Sequence, residues 1–423
     1  MQRRRDFVML TTGAAAALRL HGANDRIRAA FIGMGRMGMS NLRFAMKQEN
    51  VEVAYVCDVY QPHLQNAVEA TDGKAKGVRD FREILADRSV DIVCISTPDH
   101  WHAYMTVEAC KAGKDVYVEK PVSVTVEEAR KMVQAARKYN RVVQAGTMQR
   151  SGVHFQKAVE LVKTGALGQV TFVRCWNYSN TPAEGIGNPP DSDPPPELDW
   201  DMWLGPAPKR PFNKNRFGVD PKAFSHFRWF WDYAGGMMTD WGVHWLDIVQ
   251  FAFDEQMPLS IVALGEKFRL KDNRETPDTL QVTYQYPGFI ATYENRWNNS
   301  QSMFGKGGGI LFHGDKATLF VDRAEYRLIP EGKHEPADEV QVKASNNSND
   351  AHWKNFLECV RTRQRPISDI ETCARSTATC LLGNVALRAG MRIDWDVDTW
   401  TTKQPEARKW LSRQEREPWR IRL

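Results

Sequence analysis

No apolar run in this chain of 423 residues reaches the roughly 20 positions that a bilayer-spanning helix needs, so no membrane span is expected. Cysteine is scarce and irregular. There are seven, an odd number with no CxxC pair, which argues against a disulfide scaffold and against a zinc site. Several lie inside apolar runs, as Cys94 does in Asp91-Ile-Val-Cys-Ile, the setting of buried free thiols formed in a reducing compartment. Repeats and low-complexity blocks are absent, which excludes a solenoid. A one-sided charge is lacking as well. Of the net +5, residues 1–23 carry +3 through Arg3, Arg4, Arg5 and Arg19 against Asp6, which leaves +2 for the rest. The basic stretch from Arg408 to Arg422 is laced with Glu415 and Glu417 and reads as a solvated helix face, so no nucleic-acid partner is expected.

The length implies two or three domains. Residues 1–23 read Arg4-Arg5-Asp6-Phe7-Val8 and then a short Ala-rich apolar stretch, similar to a twin-arginine export signal and hence to a periplasmic destination, with a cytoplasmic location as the alternative. Residues 24–147 read as a dinucleotide-binding domain. Residues 148–395 read as a second, α+β domain interrupted by a Pro/Gly/Asp-rich insertion over 181–221, and 396–423 as a C-terminal extension.

The apolar run Ile27–Ile32 reads as a buried strand and leads at once into Gly33-Met-Gly35-Arg36-Met37-Gly38 and a helical pattern. Gly33 permits the tight turn, Gly35 a close backbone approach to a pyrophosphate, and Gly38 close helix–strand packing, with the phosphates on the helix N-terminus. The next strand ends in Asp58, twenty residues beyond Gly38, where a carboxylate accepts from ribose hydroxyls. Residues 59–62 carry no Arg or Lys to meet a 2′-phosphate, so the cofactor reads as NAD rather than NADP. Continuous Val/Ile/Cys strands then alternate with amphipathic helices to about residue 144, the pattern of a parallel sheet covered on both faces. Its ligand belongs at the carboxyl ends of the strands. Two loops fall there, Ser96-Thr97-Pro98-Asp-His-Trp-His102 and Glu119-Lys120-Pro121.

The glycine fingerprint, Thr97-Pro98 with His100 and His102, Glu119-Lys120-Pro121, and the downstream Gly235-Gly236-Met-Met-Thr-Asp240-Trp-Gly-Val-His244 occur in the order that resembles the Gfo/Idh/MocA (glucose–fructose oxidoreductase/inositol dehydrogenase) family, over about residues 27–395. The resemblance implies an α/β Rossmann domain followed by an α+β domain with a large, open, mostly antiparallel sheet. It also implies a homo-oligomer, dimer or tetramer, through that sheet, and hydride chemistry on a carbohydrate. In the family the residues after the last Rossmann strand reach the nicotinamide, which implicates Gln149 and Arg150.

The residues carry the same chemistry on their own. Oxidising a secondary alcohol needs a group that takes the hydroxyl proton as hydride leaves carbon. Asp240 and His244 are four apart and share one helix face. His244 reads as the general acid/base, Lys120 as the donor that holds developing alkoxide charge, and Asp240 as the group that orients substrate and His244. The roles of Lys120 and His244 are interchangeable at this level. The aromatic run Phe227-Arg-Trp229-Phe-Trp231 reads either as stacking platforms for sugar faces or as core. The Asp-His-Trp-His segment has a loose metal-ligand look, but its place favours nicotinamide and substrate contact, so no metal is expected. Three functions compete: a dehydrogenase releasing NADH, an enzyme recycling a tightly held NAD (between two sugars, or through a transient keto-sugar in glycoside cleavage), and a non-catalytic sugar-binding protein. An exported chain meets no NAD pool, which favours the second.

Overall fold

The computed structural model describes residues 26–218, 225–332 and 339–423. The export-like leader and the last residues of the 181–221 insertion lie outside the described residues.

The first half alternates strand and helix: β1 (Ile27–Ile32), α1 (Arg36–Met46), β2 (Val51–Cys57), α2 (Gln61–Ala70), β3 (Lys76–Val78), α3 (Phe81–Ala86), β4 (Ile92–Ile95), α4 (Asp99–Lys111), β5 (Asp115–Val118), α5 (Val126–Lys138) and β6 (Val143–Ala145). All six strands pair in parallel in the order β3-β2-β1-β4-β5-β6. Strand order reverses beside β1, and this opens a crevice at the carboxyl ends of β1 and β4. β4 and β5 are buried at every position, as their unbroken apolar runs require. Thr125 caps α5 by accepting from the Glu128 N–H, with acids in the first turn and bases in the last.

The helix α6 (Val153–Lys163) leads into β7 (Val170–Tyr178). The insertion that follows holds the short pair β8 (Asp191–Ser192) and β9 (Phe212–Asn213) and the helices α7 (Trp200–Leu204) and α8 (Lys214–Phe217). Then come α9 (Gly236–Asp240), α10 (Gly242–Ala252) and the strands β10 (Ser260–Glu266), β11 (Thr279–Tyr286), β12 (Phe289–Arg296), β13 (Gly308–Gly314), β14 (Ala317–Val321), β15 (Glu325–Pro330) and β16 (Val340–Lys343). The helices α11 (Ser348–Thr362) and α12 (Ile370–Ala389) precede β17 (Ile393–Asp396) and β18 (Thr401–Thr402). The second sheet runs β16-β15-β14-β13-β7-β12-β11-β10-β17-β18, with β7 and β12 its parallel pair. Residues 308–330 form three strands, because Asp315-Lys316 and Asp322-Arg323-Ala324 turn the chain twice. Helices α6, α10 and α12 cover one face of this sheet. Val262, Leu264 and Ile290 remain exposed.

The chain's end returns to the first domain. In α11, Trp353 stacks on Tyr117 of β5 with ring centroids 4.6 Å apart. The stretch after Arg408 is not the solvated helix its charges implied. It is pinned instead: Arg413 pairs with Glu128 at 2.7 Å, and Trp419 packs edge-on against Trp101. Aromatic burial and buried ion pairs outweigh solvation of these charges.

Candidate active site

A cleft of about 660 Å³ runs from the glycine loop, past both predicted loops, to the start of α10. Gly33 has φ +84°, and a Cβ there would stand 2.6 Å from the Thr97 backbone nitrogen. A Cβ on Gly38 would stand 1.8 Å from the Gly33 carbonyl oxygen, so Gly38 serves helix–strand packing and does not line the cleft. A Cβ on Gly35 would meet nothing nearer than His63 at 3.8 Å, which leaves open the approach a pyrophosphate needs. Arg36 and Met37 flank that opening. Asp58 is oriented by its own loops: Oδ2 accepts from the Met34 N–H at 2.7 Å and Oδ1 from the Tyr60 N–H at 2.8 Å. The cradle therefore fits a dinucleotide, with Asp58 lining the cleft beside the glycine turn. Sequence reading missed Arg79, which the fold brings to this end, where Nη2 donates to the Val59 and Glu197 carbonyls.

Thr97, Pro98, His102, Glu119 and Lys120 line the middle of the cleft. His102 lies between the two loops, with Nδ1 2.7 Å from the Pro121 carbonyl and Nε2 2.8 Å from the Thr97 carbonyl, and its single N–H when neutral donates to one of them. Burial above all pulls its pKa down to about 4. His100 does not reach the cleft; its Nε2 bonds the Trp203 carbonyl. Glu119 accepts from Asn41 Nδ2 at 2.9 Å, and burial raises its pKa.

At the far end Lys120, Asp240 and His244 come together. Lys120 Nζ donates to Asp240 Oδ1 at 2.8 Å and to the Asp240 carbonyl at 3.0 Å. Arg228 donates through Nε to the same Oδ1 at 3.0 Å. Burial opposes ionisation of Asp240, but the two cations outweigh it and hold the carboxyl at about 2. Asp240 does not orient His244 as their spacing implied. Trp241 breaks the helix between them, so Asp240 ends α9 while His244 opens α10. The His244 Nδ1 is buried without a partner. Burial first, then the Arg323 and Lys120 charges, depress its pKa well below 6.5, so the imidazole is neutral at pH 7 and able to accept a proton.

Four expected contacts do not form. Arg150 is buried in an ion pair with Asp247, at 2.7 Å, and with Glu255, because an unpaired guanidinium has no place in that core. Trp229 is spent on Trp297 and Arg274, and Trp231 lies beside Arg388. Gln149 stands behind the cleft wall, donating to the His244 carbonyl and accepting from Arg323 Nε. Arg228, Asp99, Trp241 and Arg323 line the site in their place. A polar residue inside an aromatic run was a usable signal for Arg228. For Arg323, in a hairpin turn, there was none. Met202, Trp203 and Phe217 from the insertion, and Phe227 just after it, also line the cleft.

Comparison with known proteins agrees with this layout. The oxidoreductase family with an NAD-binding Rossmann fold (Gfo/Idh/MocA) matches residues 27–147, and its C-terminal alpha/beta domain matches 169–421. The chain is 31% identical over 160 residues to inositol 2-dehydrogenase of Salmonella typhimurium, covering 37% of this chain and 48% of that protein. It is 31% identical over 158 residues to a glycosyl hydrolase family 109 protein of Shewanella baltica, covering 34% of each. The matched region thus spans half or less of these relatives' length. Among solved structures, an aldose-aldose oxidoreductase from Caulobacter crescentus complexed with glycerol shares the fold, with a TM-score of 0.67 at 20% identity, over 87% of this chain and 99% of that one.

Proposed function

The chain belongs to the Gfo/Idh/MocA oxidoreductase family, and from that premise we propose that it oxidises a secondary hydroxyl of a sugar, polyol or glycoside with NAD that is held and recycled within each turnover. The observation that carries this reading is the Lys120–Asp240 ion pair beside neutral His244, at the end of a cleft that begins at the glycine loop and Asp58. When bound, NAD supplies the acceptor for the hydride that leaves the hydroxyl-bearing carbon. His244 takes the hydroxyl proton at the ring nitrogen open to the cleft. Lys120, already committed to Asp240 as a donor, points charge at the developing alkoxide. Asp240 fixes the Lys120 ammonium and the Arg228 guanidinium in register.

Retention of the cofactor is supported by the insertion, whose Met202, Trp203 and Phe217 line the same cleft as the glycine loop. Retention also suits export through the Arg4-Arg5 leader. The exposed Val262, Leu264 and Ile290 are the surface on which a homo-oligomer would form. The test is the absorbance of the purified, desalted protein before and after adding sugars and glycosides. A nicotinamide that survives desalting, and is reduced and then reoxidised with substrate, is the expected result. An empty protein that accumulates free NADH only with added NAD overturns retention, and no reduction with any hydroxylated substrate overturns the oxidase reading. Product analysis then separates transfer between two sugars from glycoside cleavage, a reading to which the match with the family 109 hydrolase lends support.

A further inference from the structure

The turn between β14 and β15 delivers a guanidinium to the substrate end of the cleft. Arg323 lies over the face of Trp241, its Cζ 4.4 Å from the ring centroid, and its Nε donates to Gln149 Oε1 at 3.0 Å. Gln149 is itself fixed by donating to the His244 carbonyl. The side chain is thus held at two points, while Nη1 and Nη2 have no hydrogen-bond partner and no carboxylate within ion-pair distance among the described residues. Arg323 is exposed as a residue and lines the cleft. It is also close to the reacting centre, since it is the charge that acts most strongly on His244.

The neighbouring charges do not balance it. Asp240 is already shared between Lys120 and Arg228. Asp99, the other acid at this end, is driven by burial to a pKa of about 7, so it carries only about half a charge at neutral pH and less below it. NAD, if held in this cleft in its oxidised form, would add a further positive charge. A neutral sugar would leave all of this uncompensated in a partly enclosed cleft, an arrangement that favours an anion.

Resting on the oxidoreductase reading above, we infer that the substrate carries a carboxylate, as a uronic or aldonic acid does, and that Arg323 binds it through the Nη1/Nη2 edge. A planar fork with two free parallel donors matches a carboxylate in bidentate geometry. Bound there, the carboxylate would also offset the charge that most depresses the proton affinity of His244.

The test uses the NADH-loaded protein and measures binding of matched pairs: a hexuronate against its neutral hexose, and the hexose 6-phosphate as a third arm. Wild type is expected to bind the uronate roughly 10- to 100-fold tighter than the hexose. Arg323→Met should erase that preference with hexose affinity, melting temperature and NADH binding unchanged, and Arg323→Lys should restore part of it. Equal affinity for uronate and hexose in wild type overturns the inference, as does a tighter phosphate arm or an equal loss of both sugars in Arg323→Met. Failure of NADH itself to bind overturns the underlying oxidoreductase reading instead, so the two failures are told apart.

Discussion

Lys120 and Asp240, 120 positions apart, meet through two hydrogen bonds that join the loop after β5 to the end of α9. One contact therefore sets the active charge pattern and ties the Rossmann domain to the second domain. Asp240→Asn keeps the shape but leaves Lys120 and Arg228 without their shared counter-charge. We expect kcat/KM to fall about 100-fold with NAD affinity little changed. Steady-state kinetics beside a cofactor fluorescence titration checks this, and a variant with near-normal turnover would refute the assigned role.

His244 is assigned as proton acceptor, and its pKa is depressed well below 6.5 by burial, Arg323 and Lys120. The free enzyme therefore holds a neutral imidazole from pH 6 upward, and kcat/KM should show no acid limb from this group between about pH 6 and 8. His244→Gln should lower kcat by roughly 100-fold or more. If Lys120→Met leaves proton transfer intact while His244→Gln abolishes it, the exchange of roles that sequence left open is closed.

Gly35 and Gly38 make a matched pair. Gly35→Ala adds a methyl to open space, so the protein should keep its melting temperature and lose about tenfold in NAD affinity. Gly38→Ala drives a methyl into the Gly33 carbonyl and should destabilise the fold by roughly 1–3 kcal/mol. Thermal melts and cofactor titrations of both variants give the comparison; equal behaviour would contradict the cradle.

Arg150→Met should act on stability alone. It strands Asp247 in the core and leaves the half-buried Glu255 unpaired, and breaking a buried pair costs about 3–5 kcal/mol. Denaturant melts check this, and a stable variant with altered substrate KM would return Arg150 to the substrate site.

Acid should destabilise the protein in a defined window. Burial above all lowers His100, His102 and His352 to about 3, 4 and 4. Below about pH 6.5 the unfolded chain binds protons that the native state cannot, so each costs roughly 1.4 kcal/mol per pH unit. Asp99, raised to about 7, works in the opposite direction over the same range, because the native state takes its proton first. His244 adds to the three and Glu119, also raised by burial, to Asp99; the histidines outnumber the acids, so the melting temperature should fall between about pH 7 and 5, and a constant or rising value would contradict the burial of these rings as neutral species.

The sequence by itself determined the first half of the molecule and singled out the candidate groups of the cleft. Strand, glycine turn, helix and Asp58 are consecutive, and short-range sterics and hydrogen bonding decide such units wherever they occur. Lys120, Asp240 and His244 were legible because each lies in a distinctive local motif. Tertiary structure alone decided what those groups touch. Asp240 serves Lys120 and Arg228 rather than His244 because one residue, Trp241, breaks the helix between them. Arg150 looked like a ligand contact and became a buried counter-ion, while Arg323 looked like a turn residue and reached the cleft. A charged side chain's function depends on where its counter-charge lies, and in this chain the counter-charges come from residues about a hundred positions away.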